Sequence, residues 1–222
     1  MNINIVVANE DHYKFAEEIC ETIYNSAIVR GTGIAKRTPE YIHKKMDQRQ
    51  AVIALDGDKF AGFCYIEKWQ NGEFVVHSGL IVHPDFRSIG LAKRIKQFVF
   101  DYTRKKFPEA KIFGITTGLA VMKINSELGY KPVTFSELTE DPEFWNGCKT
   151  CTNFSILQSK ENKMCLCTGM LFDPKAQKNQ EKGTDKNTFD KKVILHLKKI
   201  KQAILLNPKK NQDNPDTKIK TS

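Results

Sequence analysis

The chain has 222 residues, of which 40% are hydrophobic and 10% aromatic. This length suits one domain with an extension or two small domains, and the composition excludes a wholly disordered protein. The formal net charge of +9 is unevenly placed, because residues 175–222 hold 13 Lys and 5 acidic residues and so carry +8 of it. A nucleic-acid-binding function inferred from basicity would therefore depend on the C-terminal tail alone.

The N-terminal sequence has no features of a secretory signal. Its apolar run, residues 3–8, is too short for a signal peptide and follows no basic segment. No stretch approaches the roughly 18 apolar residues of a membrane span. We therefore expect no membrane span and a cytoplasmic location, in which the six cysteines are reduced and favour metal binding or packing over disulfides.

The N-terminal half predicts a strand, two helices and a meander of three strands. A strand at residues 3–8 precedes a helix capped by Asn9 or Asp11, and Thr38-Pro39-Glu40 begins the second helix. Strands at 51–55, 60–66 and 74–82 are separated by turn sequences at 56–58 and 70–72. The apolar face of the first helix repeats at +3 and +4 spacing through Ala16, Ile19, Cys20, Ile23, Tyr24 and Ala27.

The second half begins with a long amphipathic helix, from Leu91 to about Phe107. A strand at 111–115, a helix at 119–128 closed by Gly129, and strands at 131–135, 153–157 and 164–172 follow. The resulting order, β-α-α-β-β-β-α-β-α-β-β-β, predicts an α/β (α+β) domain over residues 1–174. We expect a single mixed, mostly antiparallel sheet flanked by helices. We expect residues 175–222 to be a basic, largely disordered extension, with a linker at 175–188 and a helix at 189–206.

The segment from Val82 to Ala92 joins a predicted strand to the long helix through a turn containing Gly90. Such a junction directs free backbone N–H groups and the positive end of a helix at one point, which suits a pyrophosphate. An ordinary β-turn-α connection with a convenient glycine is the alternative, since short glycine motifs also occur by chance.

This segment resembles the acyl-CoA signature of the GNAT superfamily, Gln/Arg-x-x-Gly-x-Gly/Ala, matched here by Arg87, Gly90 and Ala92. The element order over residues 3–135 follows the same family, and residues 127–132 resemble its second conserved segment. The resemblance implies a GNAT N-acyltransferase that uses acetyl-CoA or another acyl-CoA, in which strands four and five splay apart around the thioester. It also implies that the chain binds the cofactor through Leu80, Ile81, Val82, Arg87, Ser88, Ile89, Gly90, Leu91, Ala92 and Asn125.

The sequence departs from the family at one catalytic position. Many members place a tyrosine acid four residues before the glycine that ends helix four, and Asn125 occupies that position here. Asparagine cannot serve as an acid, so another group protonates the thiolate or the thiolate leaves unaided. The candidate bases are His77, whose ordinary pKa is suitable, and Glu73; a structural strand histidine is the alternative for His77.

Residues 115–117 and 129–133 resemble the acetyltransferase domain of N-acetylglutamate synthases. This resemblance implies transfer of an acetyl or succinyl group to the α-amine of glutamate or a similar amino acid in arginine biosynthesis. Arg30, Lys36 and Arg37 are candidate ligands for the substrate carboxylates, although a solvated basic loop is equally consistent with them. Other interpretations are a GNAT acting on another small amine or a protein lysine, and a non-catalytic CoA-binding module. Family members often dimerise, so a homodimer is a further expectation.

Four cysteines in the segment 145–168 have the spacing of metal ligands: Cys148, Cys151, Cys165 and Cys167. Four thiolates suit tetrahedral zinc, and residues 144–147 could form the turn of a small zinc knuckle. Simple packing of buried cysteines is the alternative, and it is our interpretation of Cys20 and Cys64. The basic tail contains a single aromatic residue, Phe189, so we do not expect it to stack on nucleic-acid bases.

Overall fold

A seven-stranded mixed sheet organises the domain. In the computed structural model, which describes residues 1–29 and 37–177, the strand order is β1-β2-β3-β4-β5-β7-β6. Among the described strands, β4 and β5 alone are parallel, and every other neighbouring pair is antiparallel. The predicted fold class is thereby confirmed. The strands are β1 Ile3–Val7, β2 Ala51–Asp56, β3 Lys59–Trp69, β4 Phe74–Val82, β5 Lys111–Thr116, β6 Lys131–Val133 and β7 Thr168–Phe172.

Six α-helices flank the described sheet, together with short 3-10 turns. The first predicted helix begins as a 3-10 turn at Glu10–Phe15 and continues as α1. Thr38 caps α2 by accepting a hydrogen bond from the Tyr41 amide at 3.3 Å, with Pro39 in the first turn as predicted. The helices are α1 Ala16–Val29, α2 Pro39–Asp47, α3 Leu91–Lys106, α4 Leu119–Glu127, α5 Pro142–Asn146 and α6 Phe154–Ser159.

The two faces of the sheet are buried by different helices. Helices α1 and α2 cover one face, where Ile19 and Ile42 pack against Phe63 of β3. Helix α3 covers the other face, where Ile95 and Val99 belong to the same apolar cluster as alternate residues of β3 and β4. Because side chains alternate along a strand, each position of β3 and β4 faces one helix layer or the other. This alternation decides which site residues can meet.

Several predicted boundaries near the C-terminus of the domain were wrong. The segment predicted as a strand at 153–157 is helix α6, whose Leu157 is buried in the core. The predicted strand at 164–172 contains only β7, so Cys165 and Cys167 lie before the strand and not on it. Residues 144–147 do not form a knuckle turn, because α5 includes Phe144 and ends at Asn146. In α1, Tyr24 of the predicted apolar face is 46% exposed.

Contacts group Met1–Pro174 as one compact unit. No helix in the described part of the chain is long and apolar enough to cross a membrane. The predicted helix at 189–206 lies outside the described residues, as do Arg30 and Lys36.

Candidate active site

Strands β4 and β5 pair along only a short part of their length. Their register joins Phe74, Val75 and Val76 of β4 to residues 111–113 of β5, and no pairing continues beyond it within the described sheet. From His77 onward the β5-side edge of β4 is therefore open. Gly79 has a left-handed backbone (φ 63°) beside a register shift between β3 and β4, which re-aims the strand at this point.

A cleft of about 610 Å³ occupies this gap and extends over the α1–α2 face of the sheet. Its lining combines the open part of β4, the end of β5, helix α4, and residues of α2, β3 and the cysteine-containing segment. Its titratable lining residues are Arg37, Tyr41, Tyr65, Glu67, His77, Lys96, Glu143, Cys148, Cys151 and Cys167. The cleft thus combines an apolar channel between two strands with a strongly polar region on one side.

The predicted pyrophosphate loop stands at the start of α3. Ser88 and Gly90 both adopt positive φ angles, 65° and 75°, and both are exposed, whereas Leu91 is buried and anchors the first helical turn. The first turn of a helix has N–H groups that no earlier helical carbonyl can accept, so the loop can bind an anion through its backbone. A side chain at Gly90 would meet no neighbouring atom, so lack of space does not explain the glycine. Glycine is favoured there because the backbone is left-handed.

The exposed residue Arg87 makes hydrogen bonds to other groups of the protein. Its Nε donates to the Val82 carbonyl at 3.3 Å and its Nη2 donates to Ser26 Oγ at 2.9 Å. Arg87 therefore ties the loop to β4 and to α1. The predicted contribution of Arg87 to cofactor binding is therefore consistent with an indirect role, in which its side chain fixes the position of the loop and backbone N–H groups bind the anion.

The polar region of the cleft is built around Glu67, which the sequence analysis did not single out. Glu67 Oε1 accepts hydrogen bonds from Tyr41 OH at 2.6 Å and from Lys45 Nζ at 2.8 Å. Beside it, Arg37 Nε donates to Tyr65 OH at 2.6 Å, and the guanidinium lies 5.2 Å from the Tyr41 ring centroid. Burial, together with Tyr65 and the Glu67 carboxylate, raises the pKa of Tyr41. Two cationic groups, Arg37 and Lys45, thus lie beside one carboxylate, and of these three Arg37 and Glu67 line the cleft.

His77 lies on the opposite face of the sheet from Glu67. Its ring is buried between β4 and α3, with Nε2 2.9 Å from Thr103 Oγ1 and Nδ1 3.0 Å from Lys96 Nζ. Burial, and then the charge of Lys96, lowers the pKa of His77 well below its ordinary value of 6.5. His77 contributes to the lining of the gap, and its predicted role as the base stays a prediction.

The other sequence-predicted residues are divided between the cleft and its surroundings. Asn125 lines the cleft with 1% of its surface exposed, and Leu80 lines it as well. Glu73 precedes β4, pairs with Lys111 at 3.4 Å and does not belong to the cleft lining. Arg37 is the one predicted substrate ligand within the described residues, and it lies in the cleft.

Three of the four clustered cysteines line the cleft, and the fourth, Cys165, packs beside them. Burial, followed by the neighbouring thiols, raises the pKa of Cys148 to about 11 and that of Cys167 to about 12. The thiols therefore lie close enough to interact. Within residues 1–29 and 37–177, no group of three or more His, Cys, Asp or Glu side chains is arranged to hold a metal ion.

Comparison with known proteins agrees with this geometry. Residues 19–118 match the model of the acetyltransferase (GNAT) family. No curated protein sequence matches the chain significantly. Among solved structures, N-acetylglutamate synthase from Neisseria gonorrhoeae, complexed with coenzyme A and N-acetyl-glutamate, superposes with a TM-score of 0.56 at 14% identity. The match covers 78% of this chain and 35% of the synthase, so this chain spans about a third of that protein.

Two further structures are similar over nearly their whole length. The protein yncA from Salmonella typhimurium, solved with its cofactor acetyl-CoA, has a TM-score of 0.53 at 16% identity and covers 78% of this chain and 95% of its own. Diaminobutyrate acetyltransferase from Paenibacillus lautus, in complex with L-2,4-diaminobutyric acid and coenzyme A, has a TM-score of 0.52 at 12% identity. It covers 78% of this chain and 95% of its own. At these identities the structural matches show the fold.

The family match covers most of α1, together with α2, the meander, the predicted pyrophosphate loop, α3 and β5, and so contains both the junction of β4 with α3 and the β4–β5 gap. The domain thus has the fold of these acetyltransferases, and its match to the acetyltransferase (GNAT) family covers residues 19–118, somewhat under half of the chain.

Proposed function

We propose that the domain transfers an acetyl or succinyl group from CoA to the α-amine of glutamate or a similar amino acid. The observation that carries this proposal is that Arg37 and Glu67 line one cleft, which opens into the β4–β5 gap. A guanidinium and a carboxylate side by side suit a substrate that has a carboxylate and an ammonium group. The amino-acid derivatives bound in the N. gonorrhoeae and P. lautus structures support the same class of acceptor.

In this proposal Arg37 binds a substrate carboxylate, and its contact with Tyr65 OH holds the guanidinium in place. Arg30 and Lys36, which precede it in the chain, are proposed as additional carboxylate ligands. The arginine fork gives two parallel hydrogen bonds to a carboxylate, so this position should discriminate between amines with and without one. The setting we propose for the reaction is amino-acid biosynthesis in the cytoplasm.

Glu67 is our candidate for the group that receives the proton of the substrate ammonium. An amine attacks a thioester only after it has lost this proton, and a carboxylate in the cleft can accept it directly or through water. Lys45 and Tyr41 both bond Oε1 and fix the orientation of the carboxylate. The backbone N–H groups on the open edge of β4 are suited to the oxyanion of the tetrahedral intermediate. We propose Glu67 as a base in addition to the sequence-based candidates His77 and Glu73, which stay predictions.

For the cofactor, we propose that the backbone of residues 88–92 holds the pyrophosphate and that residues 80–82 pair with the pantetheine arm. The short β4–β5 pairing supports this, because it leaves the backbone of β4 open along the channel. Asn125 borders the same channel, and its buried Oδ1 has no hydrogen-bond partner in the described structure. A pantetheine amide N–H would satisfy that oxygen.

We also propose that Cys148, Cys151, Cys165 and Cys167 bind a structural zinc ion. The support is chemical: four thiols come together from two segments, and the neighbouring thiols help to raise the pKa of Cys148 and of Cys167 by repelling a thiolate there. A zinc ion would reverse that repulsion and hold all four as thiolates. The side chains would have to close around the ion, since the described conformation contains no ready ligand group.

A thiol-release assay tests the proposed acceptor. The protein is incubated with acetyl-CoA or succinyl-CoA and a panel of free amino acids, and each acidic amino acid is matched with its amide and its decarboxylated amine. We expect release that depends on an acidic amino acid. Arg37→Met should raise the KM for that substrate by roughly tenfold or more, as expected for loss of one charged hydrogen-bonding partner. Glu67→Gln should lower kcat by roughly 10²-fold.

Lys105→Met is the matched control, because Lys105 is exposed on α3 and does not line the cleft. Equal release with amines that lack a carboxylate would contradict the acidic acceptor. Release only with a polyamine or a peptide lysine would assign the site to that acceptor. CoA binding without any release would favour a non-catalytic CoA-binding module.

A further inference from the structure

A buried lysine lies where β4 and β5 separate. Lys96 of α3 is 2% exposed and lines the gap together with His77 and Asn125. Within the described part of the chain, its polar contact is with an imidazole nitrogen, His77 Nδ1, and not with a carboxylate. A buried ammonium without a carboxylate is expensive to maintain, so an apolar side chain would serve packing better at this position.

A hydrogen-bond network fixes the position of the Lys96 amine. Lys96 Nζ lies 3.0 Å and Tyr130 OH 3.2 Å from His77 Nδ1, and Thr103 Oγ1 lies 2.9 Å from His77 Nε2. Because Lys96 and Tyr130 are both donors to Nδ1, the Nε2–H of the neutral ring donates to Thr103. The ammonium has three N–H groups and uses one on His77, which leaves others for a group in the gap.

The α4 side of the gap has no acid of its own. Asn125 occupies it with a buried, unpartnered Oδ1 and cannot release a proton. Other buried groups nearby are poorly suited: Tyr130 does not line the gap, and burial raises its pKa well above 10. The Cys64 thiol is fully buried and directed at the Ser78 carbonyl at 3.4 Å. His77 is uncharged at neutral pH, because burial and the charge of Lys96 lower its pKa.

We propose that Lys96 is the acid that protonates the departing CoA thiolate. This inference deepens the proposed function and rests on it. The substrate ammonium first loses one proton to Glu67, and the neutral amine then forms the C–N bond, which places a negative charge on the carbonyl oxygen and a positive charge on the nitrogen. The nitrogen releases its second proton to solvent. When the carbonyl re-forms, the C–S bond breaks and its electron pair stays on sulfur, which takes a proton from the Lys96 ammonium. CoA leaves as the thiol, the amide is released, and solvent restores the proton of Lys96 and removes that of Glu67.

The acidity of Lys96 fits this step. Burial lowers its pKa from 10.5 to about 8, partly offset by Cys64, and an ordinary thiol has a pKa of about 8.5. Proton transfer between groups of similar pKa needs little driving force in either direction. The groups facing the amine are His77 of β4, Cys64 of β3 and Tyr130 after α4, none of which supplies a competing charge at neutral pH.

The test compares two acyl donors in the full-length protein. Acetyl-CoA and its selenium analogue, acetyl-seleno-CoA, offer the same binding groups, but a selenolate leaves without protonation. With a saturating amine, we expect Lys96→Met to lower acetyl-CoA turnover by roughly 10²-fold. The same variant should use acetyl-seleno-CoA within about threefold of the wild type. The wild-type rate with acetyl-CoA should fall above pH about 8 as Lys96 loses its proton, and the variant should lack this limb.

Lys105→Met provides the control and should behave as the wild type with both donors. Equal losses with sulfur and selenium in Lys96→Met, with CoA binding retained, would overturn the assignment of Lys96 and leave the proposed function intact. If the wild type released no CoA to any amine or to water, the proposed function would fail, and the role of Lys96 would fail with it.

Discussion

At Lys96 a positive charge is held inside the domain, facing His77, Cys64 and Tyr130. Its folded pKa of about 8 is below its ordinary value of 10.5, so the folded state binds fewer protons than the unfolded state between these two pH values. Stability therefore increases as the pH rises from about 8 to 10.5, and the full cost of the buried charge is present below pH 8. A buried charge of this kind is typical of functional groups.

We expect Lys96→Met to stabilise the protein at pH 7 while it impairs turnover. The lowered pKa corresponds to roughly 3 kcal/mol, an upper bound, because the variant also loses the contact with His77. Urea unfolding at pH 7 and at pH 10 checks this, and the gain should shrink at the higher pH. Lys105→Met, the same substitution at an exposed site of α3, should change stability by less than about 0.5 kcal/mol. A loss of stability in Lys96→Met would mean that the network stabilises the fold.

Residue type predicted some site members and missed others for a physical reason. His77 is suitable by chemistry, but strand alternation turns it towards α3 and away from Glu67. Glu67 escaped notice because the apolar strand signal ends at Ile66, whereas β3 continues to Trp69. The one indication in the sequence was that Glu67, a charged residue, directly follows the apolar run of a predicted strand. Lys96 falls among the apolar positions of α3, and only its burial distinguishes it from a solvated lysine.

At the scale of elements, the segment between β6 and β7 was the least predictable part of the domain. Helices α5 and α6 are too short to show a clear helical periodicity of apolar residues. Aromatic residues such as Phe154 are also common in strands, so the sequence of α6 resembles that of a strand. Trp145 anchors the segment by donating from Nε1 to the Thr139 carbonyl at 2.9 Å, and it stacks on Phe135. The cysteines then connect this segment to the start of β7.

Zinc binding by the four cysteines predicts that the segment is stabilised by metal. We expect about one zinc ion per chain in protein purified without chelators, measured by plasma mass spectrometry. Removal with a strong chelator should lower the melting temperature by several degrees, since metal-binding energy contributes directly to folding. Cys148→Ser should remove most of the zinc, whereas Cys20→Ser, at a half-buried cysteine of α1, should not. Metal-free protein of unchanged stability would leave the thiols with a packing role.

Across the whole molecule, the pattern of apolar periodicity placed the elements from β1 to β5 in the right order. That part of the chain has long strands, a long amphipathic helix and clear turn sequences, so local signals agree with the fold. The parallel pairing of β4 with β5, and its early end, depend on contacts between distant segments and were expected from family resemblance alone. Charge also divides the molecule, with +8 in residues 175–222.

This division predicts that the domain works without its basic extension. Residues 1–174 contain all the strands of the described sheet and all the described residues that line the cleft. We expect a chain ending at Pro174 to unfold with the same denaturant midpoint as the full chain and to retain kcat/KM for a free amino acid within about twofold. It should bind a cation-exchange resin more weakly, because removing the extension leaves a net charge of +1.

A chain ending at Cys167 is the control: it lacks β7, which pairs with both β5 and β6, and should not fold. If the chain ending at Pro174 keeps its stability but loses turnover, the extension takes part in binding the substrate. If that chain sediments as a smaller species than the full chain, the extension contributes to a dimer interface.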